Sequence, residues 1–228
     1  MVTLATSSLS TASIVSTSRL RRILKGGTFT LTRPPAPRQC ATVQATCVAR
    51  VGGGEIRVLN VASGPGRDML RFFEGHPALR DRVWFDCVEQ DAKAIAHASR
   101  VCDQYRDRID FAHGNALTFA TGQRYDLVWS AGLFDYFEDW AFGFMLRRLR
   151  ALLNPNGELV IGNFSSVNPS RAYMELGEWF LKHRSPVTLE ALARRAGFSS
   201  DQIAVRSEPT GVNLFLHAGN HMLIAVAP

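Results

Sequence analysis

No apolar stretch in this 228-residue chain approaches the roughly 20 residues that span a bilayer, so a transmembrane helix is not expected. The four cysteines, Cys40, Cys47, Cys87 and Cys102, include no Cys-x-x-Cys pair, and the six histidines do not fall at finger or helix-face spacing with them. That absence removes the usual zinc modules, and no metal is expected. Cys87 lies inside an apolar run and Cys102 on the apolar side of a helical pattern, so both read as reduced core residues. Internal repeats are missing as well. Acidic residues are absent from residues 1–54, which hold seven of the 26 basic side chains: Arg19, Arg21, Arg22, Lys25, Arg33, Arg38 and Arg50. The formal charge of +6 therefore belongs to this segment, because 19 basic residues face 20 acidic ones in the rest. A nucleic-acid partner normally shows as a basic face on the domain itself, so none is expected.

The same segment is rich in hydroxyls. Ten of its first 18 residues are Ser or Thr, followed by Arg19-Leu-Arg-Arg22 and Arg33-Pro-Pro-Ala-Pro-Arg38. This composition suits an organelle transit peptide, and equally a disordered tail or a non-native leader. Residues 1–54 are expected to be loosely attached, with one domain over residues 55–228 in the cytoplasm; organelle import is the alternative. Residues 28–31 have the pattern of a short strand. A hydrophobic content of 46% supports one sizeable core.

What the chain does have begins with Ile56-Arg-Val-Leu-Asn-Val-Ala-Ser-Gly-Pro-Gly-Arg-Asp68. Ile56, Val58, Leu59 and Val61 form a run suited to a strand buried on both faces of a parallel sheet. Ala62, Ser63 and Gly64 then let the backbone pass close to a ligand, Gly66 can take a positive φ, and Asp68 is placed to open a helix with Leu70 and Phe73 on its apolar side. A second strand over residues 83–88 ends at Glu89-Gln90-Asp91. A carboxylate there, beyond a glycine turn, can accept both hydroxyls of a ribose, which makes Glu89 the expected ribose ligand and Asp91 the cap of a helix over residues 92–106 carrying Ile95, Ser99 and Cys102. Strands over residues 109–112 and 125–129 run into His113-Gly114-Asn115-Ala116 and Ser130-Ala-Gly-Leu133. In an open α/β sheet these tips converge on one crevice.

The pattern resembles the class I S-adenosylmethionine-dependent methyltransferases over about residues 55–217. Residues 58–66 look like that family's first motif, Val88-Glu-Gln-Asp91 like its second-strand acid motif, Tyr125-Asp-Leu-Val-Trp-Ser130 like its fourth-strand motif, and Leu153-Asn-Pro-Asn-Gly-Glu-Leu-Val-Ile161 like its turn into the fifth strand. The resemblance implies a Rossmann-like α/β fold: a seven-stranded, mostly parallel sheet with helices on both faces and the last strand antiparallel. It implies S-adenosyl-L-methionine as cofactor, contacted by Asn60, Ala62, Ser63, Gly64, Gly66, Asp68, Glu89, Gln90, Gly114, Asn115, Ala116 and Ser130. Two positions depart from the family: Asn60 and Asn115 stand where acids are usual. An asparagine still accepts through its carbonyl oxygen but brings no charge.

A narrower resemblance rests on Ser130-Ala-Gly-Leu-Phe-Asp-Tyr136, Ile161-Gly-Asn-Phe-Ser165, Arg171-Ala-Tyr-Met174 with Trp179, and Pro209-Thr-Gly-Val-Asn-Leu-Phe-Leu-His217. These look like a bacterial subgroup linked to 3-hydroxypalmitic acid methyl ester, an extracellular signalling factor. It implies carboxyl O-methylation of a 3-hydroxy fatty acid as the small-molecule acceptor. A carboxylate is already ionised and needs no strong base, only a cation or amide to orient it. Arg171, His183 and Arg184 are the candidate cations, with Asn163, Tyr173, Trp179 and Asn213 completing the pocket wall. Asp135 and Tyr136, just past the fourth strand, are where a general base for a hydroxyl acceptor would sit.

The remaining pattern predicts a helix over residues 139–153, a fifth strand over 158–164, a helix from Ser170 to about residue 183, another from Thr188 to Gly197, and strands over 203–208 and 212–217. Two other readings stand beside the methyltransferase. A nicotinamide-dependent oxidoreductase shares the strand, glycine, helix and acid logic but would need glycine at Met69. A catalytically silent cofactor binder is compatible with the two asparagines.

Overall fold

A computed structural model describes residues 37–51 and 54–220. Seven strands form one sheet: β1 (Ile56–Val61), β2 (Val83–Glu89), β3 (Ile109–His113), β4 (Tyr125–Ser130), β5 (Leu153–Phe164), β6 (Ile203–Ser207) and β7 (Asn213–Gly219). The helices are α1 (Pro37–Arg50), α2 (Arg67–Gly75), α3 (Ala92–Val101), α4 (Asp139–Arg150), α5 (Arg171–Leu176) and α6 (Pro186–Arg195). The strand order is β3-β2-β1-β4-β5-β7-β6. All pairings are parallel except those of β7, which runs antiparallel to both β5 and β6. This is the architecture implied by the resemblance.

Both faces of the sheet are covered, which explains why the central strands read as unbroken apolar runs rather than alternating ones. Leu59, Val61, Val128, Leu159 and Ile161 pack against Phe142, Met145, Leu146 and Leu149 of α4 and Leu189 and Leu192 of α6. On the other side Val58, Trp129, Val160 and Phe215 meet Met69, Phe72 and Phe73 of α2 and Cys40, Ala41, Cys47 and Val48 of α1.

The second layer corrects the expected domain boundary. Residues 37–50 are a packed helix, with Cys40, Gln44, Cys47 and Val48 buried, so the body starts before residue 55. The strand expected at residues 28–31 and the Ser/Thr-rich stretch lie outside the described residues.

Several boundaries move for local reasons. Helix α3 stops at Val101 and passes into a 3-10 turn over Asp103–Arg108; its buried side is Ala94, Ala98 and Cys102, while Ser99 is exposed. Asp91 caps it as expected, accepting from the Lys93 N–H at 2.8 Å. The fifth strand begins at Leu153, paired with Tyr125, and residues 154–157 bulge before pairing resumes between Leu127 and Glu158. The helix expected from Ser170 to residue 183 lasts only to Leu176. Glu178 takes a left-handed φ of 59°, and the chain runs extended until Arg184 bridges alongside Ser165. The cap of α6 is Ser185, whose Oγ accepts from the Thr188 N–H at 3.2 Å, with Pro186 at the first turn. Thr188 is therefore inside the helix. No helix among the described residues is long and apolar enough to cross a membrane.

Candidate functional site

The carboxyl ends of β1, β2, β3, β4 and β5 meet at one edge of the sheet, and a web of polar bonds holds their tips together. Ala62 N–H donates to the Val88 carbonyl at 2.8 Å and Gly64 N–H to Glu89 Oε2 at 2.8 Å. Glu89, buried at 2% exposure, also accepts the Asp91 N–H on Oε1 at 2.9 Å. Its carbonyl takes the Gly114 N–H at 2.9 Å, which ties the β3 tip to the β2 tip. A carboxylate has about four acceptor positions, so after two backbone bonds Glu89 keeps room for a diol. One side chain therefore both shapes the glycine turn and can hold a ribose.

The turn is strained at one residue and pressed at another. Ala62 sits at φ 56°, a region that costs an L-residue with a Cβ about 1 kcal/mol or more. Gly66 sits at φ 74°, and a Cβ there would come within 2.8 Å of the Ala98 Cβ on α3. Ala62→Gly is expected to raise stability by about 1 kcal/mol, read as a higher Tm with cofactor affinity retained. An unchanged or lower Tm would show that the Ala62 methyl contributes packing that offsets the strain.

Beside this turn the structure resolves the first departure from the family. Asn60, buried at 2% exposure, donates from Nδ2 to Asp68 Oδ2 at 3.2 Å. Gln44 of α1 donates to the same oxygen at 3.2 Å. Asp68 does not cap α2. It lies in the first turn behind Gly66 with its carboxylate turned onto β1 and α1. Burial pushes its pKa up, opposed by the Met69 backbone N–H and the Asn60 and Gln44 amides. Gln44 Oε1 is also buried and has no hydrogen-bond partner. A buried carboxylate beside an unpartnered amide oxygen fits the ammonium end of an amino acid. On these observations the residues present suit S-adenosylmethionine: Glu89 for its ribose, and Asp68 with Asn60 and Gln44 for its methionine end.

Other expected contacts fall out differently. Ser130 is fully buried and spends its hydroxyl on the Val61 carbonyl at 3.0 Å, joining β4 to β1. Ser63 is buried in the turn, its N–H on the Val88 carbonyl at 3.3 Å. Gln90 is exposed at the rim, where His113 Nε2 lies 3.0 Å from its carbonyl. Asn115 Oδ1 accepts its own chain's Leu117 N–H at 2.8 Å, so that oxygen is already half committed before any adenine arrives. Ala116 lines a cavity of about 230 Å³ with Val61, Val88 and Phe119.

The expected acceptor side brings together Asp135, Phe164 and the segment after α5. Asp135 lies in a 3-10 turn over Phe134–Tyr136 and is buried at 3% exposure. Its Oδ1 accepts the Phe164 N–H at 2.7 Å, which pins the turn to the tip of β5. Burial raises its pKa to about 7, partly opposed by that bond and by the Arg184 charge. Tyr136 is exposed, and its hydroxyl accepts from Trp179 Nε1 at 3.1 Å, while Trp179 stands edge-on to Phe164 at 6.0 Å. Asn213 pairs with Phe164 across β5 and β7, its N–H on Glu208 Oε1 at 3.3 Å. Tyr173 is half exposed on α5.

The cations expected to hold an acid are committed elsewhere. Arg184 is buried, and all five of its N–H groups are used: on Asp139 Oδ1 twice, at 3.0 and 2.9 Å, on the Phe134 and Phe137 carbonyls at 3.2 and 2.6 Å, and on Asn163 Oδ1 at 2.8 Å. It also stacks 4.6 Å from the Phe142 ring centre. Asn163 in turn donates to the Phe164 and Lys182 carbonyls at 2.9 and 2.8 Å. Both residues are therefore buried braces rather than substrate ligands. Arg171 is exposed and pairs with Glu175 at 2.7 Å. Partial burial lowers the pKa of His183, whose Nε2 lies 3.1 Å from Asn168 Nδ2.

The pKa of Asp135 has a checkable consequence. The native state keeps this proton up to about pH 7, whereas an unfolded aspartate releases it near pH ~4. Stability should therefore fall as pH rises between those values, by about 1.4 kcal/mol per pH unit at most. Asp135→Asn should flatten that part of a urea-denaturation profile measured from pH 4 to 8. Parallel curves for the two proteins would assign the slope to another group.

Comparison with known proteins agrees with this geometry. Residues 58–157 match the sequence family described as a methyltransferase domain. A ubiquinone biosynthesis O-methyltransferase of Azorhizobium caulinodans is 29% identical over 162 residues, covering 65% of this chain. The chain spans 61% of that relative's length, less than two thirds. Among solved structures, magnesium protoporphyrin IX methyltransferase from Synechocystis PCC 6803 with bound SAH aligns at TM-score 0.65 and 16% identity, over 92% of this chain and 94% of that one. The 1,6-didemethyltoxoflavin-N1-methyltransferase of Burkholderia thailandensis, with its substrate and S-adenosylhomocysteine bound, aligns at TM-score 0.61 and 20% identity, over 82% and 78%. Residues 58–157 are thus similar to a methyltransferase domain, set in the Rossmann-like fold that these methyltransferase structures share.

Proposed function

We propose that the protein transfers a methyl group from S-adenosylmethionine to an oxygen of a small, largely apolar acceptor, with Asp135 as the base that takes the acceptor's proton. The observation that carries this reading is Asp135 itself: a buried carboxylate at the strand tips, with Oδ1 fixed by the Phe164 N–H and a pKa raised to about 7 by burial. A base is most effective when its pKa lies near that pH. The cofactor supplies an electrophilic methyl on a sulfonium. The chain's part is to place the acceptor oxygen in line with it and to remove one proton. Glu89 holds the ribose, and Asp68, set by Asn60 and Gln44, faces the ammonium.

A 3-hydroxy fatty acid methylated on its carboxylate is the second reading. It is favoured by the narrower resemblance and by the exposed Tyr173, Leu176 and Phe180 around Trp179, which offer apolar surface to an acyl chain. Against it stand the committed Arg184 and Arg171. The two separate cleanly. Methyl-labelled S-adenosylmethionine would be incubated with the protein and a panel of 3-hydroxy acids, apolar alcohols and phenols, and the product treated with alkali. An ether keeps its label; an ester releases labelled methanol. Alkali-labile product from the acids alone would replace the hydroxyl reading with the carboxyl one, and no transfer to any acceptor would sink both.

A further inference from the structure

Away from the cofactor turn, at the start of the regular part of β5, three side chains from three elements meet. Cys47 of α1, Glu158 of β5 and His217 of β7 are all buried, and one ligand atom from each lies within 4.8 Å of the other two. His217 Nδ1 is 2.6 Å from Glu158 Oε1 and 4.0 Å from Cys47 Sγ. Arg50, one helical turn beyond Cys47, reaches both Glu158 oxygens, Oε2 at 3.3 Å and Oε1 at 3.4 Å, from a side chain that is 27% exposed. None of these groups lies at the strand tips, and methyl transfer gives them no task.

We propose that Cys47, Glu158 and His217 bind one zinc-type divalent transition-metal ion through Sγ, Oε1 and Nδ1. Thiolate, imidazole and carboxylate together form a donor set that suits such an ion. Metal bonds of about 2.0 to 2.3 Å in a tetrahedron put ligand atoms roughly 3.3 to 3.7 Å apart. The observed 2.6 and 4.0 Å bracket that range, so side-chain shifts below 1 Å close the site. A thiolate and a carboxylate cancel the ion's charge. Arg50 would yield its 3.4 Å contact with Oε1 to the ion and keep Oε2, as the kind of outer partner that orients a metal ligand. Its partial exposure marks the route by which an ion enters and a water completes the fourth position.

The proton count is explicit. The Cys47 thiol gives one proton to solvent as sulfur binds the metal. Nδ1 presents its lone pair, and the proton now shared with Glu158 leaves or reappears on Nε2. The ion would fasten α1 to the sheet, and α1 carries Gln44 to Asp68 one turn earlier. Metal would thereby steady the cofactor turn, although its binding does not depend on the methyltransferase reading.

The test uses the full chain, reduced, stripped with chelator and titrated anaerobically with cobalt chloride. One equivalent should produce a thiolate-to-cobalt band in the near ultraviolet together with the intense visible bands of a four-coordinate ion. Cys47→Ser should abolish the ultraviolet band, and His217→Gln should weaken binding roughly tenfold or more. Zinc chloride should raise the Tm of the unaltered protein and not that of Cys47→Ser. Absence of the thiolate band at one equivalent of cobalt in the unaltered protein overturns the proposal on its own, whether or not the variants fold. So does a band that survives in folded Cys47→Ser, because the thiolate would then be another cysteine.

Discussion

Replacing Asp68 with Asn is expected to weaken S-adenosylmethionine binding roughly a hundredfold, about 2.7 kcal/mol, while affinity for methylthioadenosine changes less than about twofold. The two ligands share the adenosine and differ in the amino-acid end. Asp68 Oδ2 receives the Asn60 and Gln44 amides, and burial disfavours the carboxylate's charged form. An ammonium group bonded there would be a charge-assisted contact in a partly dry site, among the stronger single hydrogen bonds a protein makes. Moving the carboxylate supplies the stricter arm. Asn60→Asp combined with Asp68→Asn returns one negative charge to the same bonded pair, and calorimetry should find most of the S-adenosylmethionine affinity restored. Equal loss for both ligands in the single variant would mean that the turn itself had been damaged. Full affinity in Asp68→Asn would place the ammonium elsewhere.

That reassignment shows where the sequence was legible. The strand and glycine turn at residues 56–66, the acid at Glu89 and the order of motifs specify the sheet because each depends on neighbours in the chain: a buried run, a positive φ at Gly66, a carboxylate at a strand tip. Asn60 could be recognised as lacking a charge, and Asp68 already stood among the expected cofactor contacts, but its bonds to Asn60 and Gln44 were not legible, since Asp68 also fits a helix cap and Gln44 lies in a segment whose composition reads as a tail. The helical spacing of Cys40, Gln44, Cys47 and Val48 was the available signal, masked by the flanking Ser, Thr and Arg. The acceptor side was less legible still. Arg184 and Asn163 carry the functional groups expected of ligands, and only three-dimensional packing shows that every donor is already spent. The same holds for Cys47, Glu158 and His217, which share no spacing rule and meet only through the α1 packing and the β5 to β7 pairing.

Arg184 carries the largest effect on stability. Arg184→Leu is expected to cost about 3 to 5 kcal/mol, the usual result of removing one partner from a buried ionic network. Asp139 loses little, since its side chain is 60% exposed and water can solvate it. The cost comes from the other acceptors: the Phe134 and Phe137 carbonyls and Asn163 Oδ1 lose donors in a place where Phe134 and Asn163 are buried. Those groups belong to the turn that carries Asp135 and to the end of β5 that Asp135 grips, so loosening Arg184 should also raise KM for the acceptor more than for S-adenosylmethionine. Arg184→Lys separates geometry from charge. Lysine keeps the positive charge but offers three donors on a single nitrogen, against five on a planar fork. It should therefore recover less than half of the lost stability, measured by urea denaturation with unchanged m-value. Near-complete rescue by lysine would show that charge alone matters here, and the turn holding Asp135 would then owe its position to the Phe164 N–H rather than to the guanidinium.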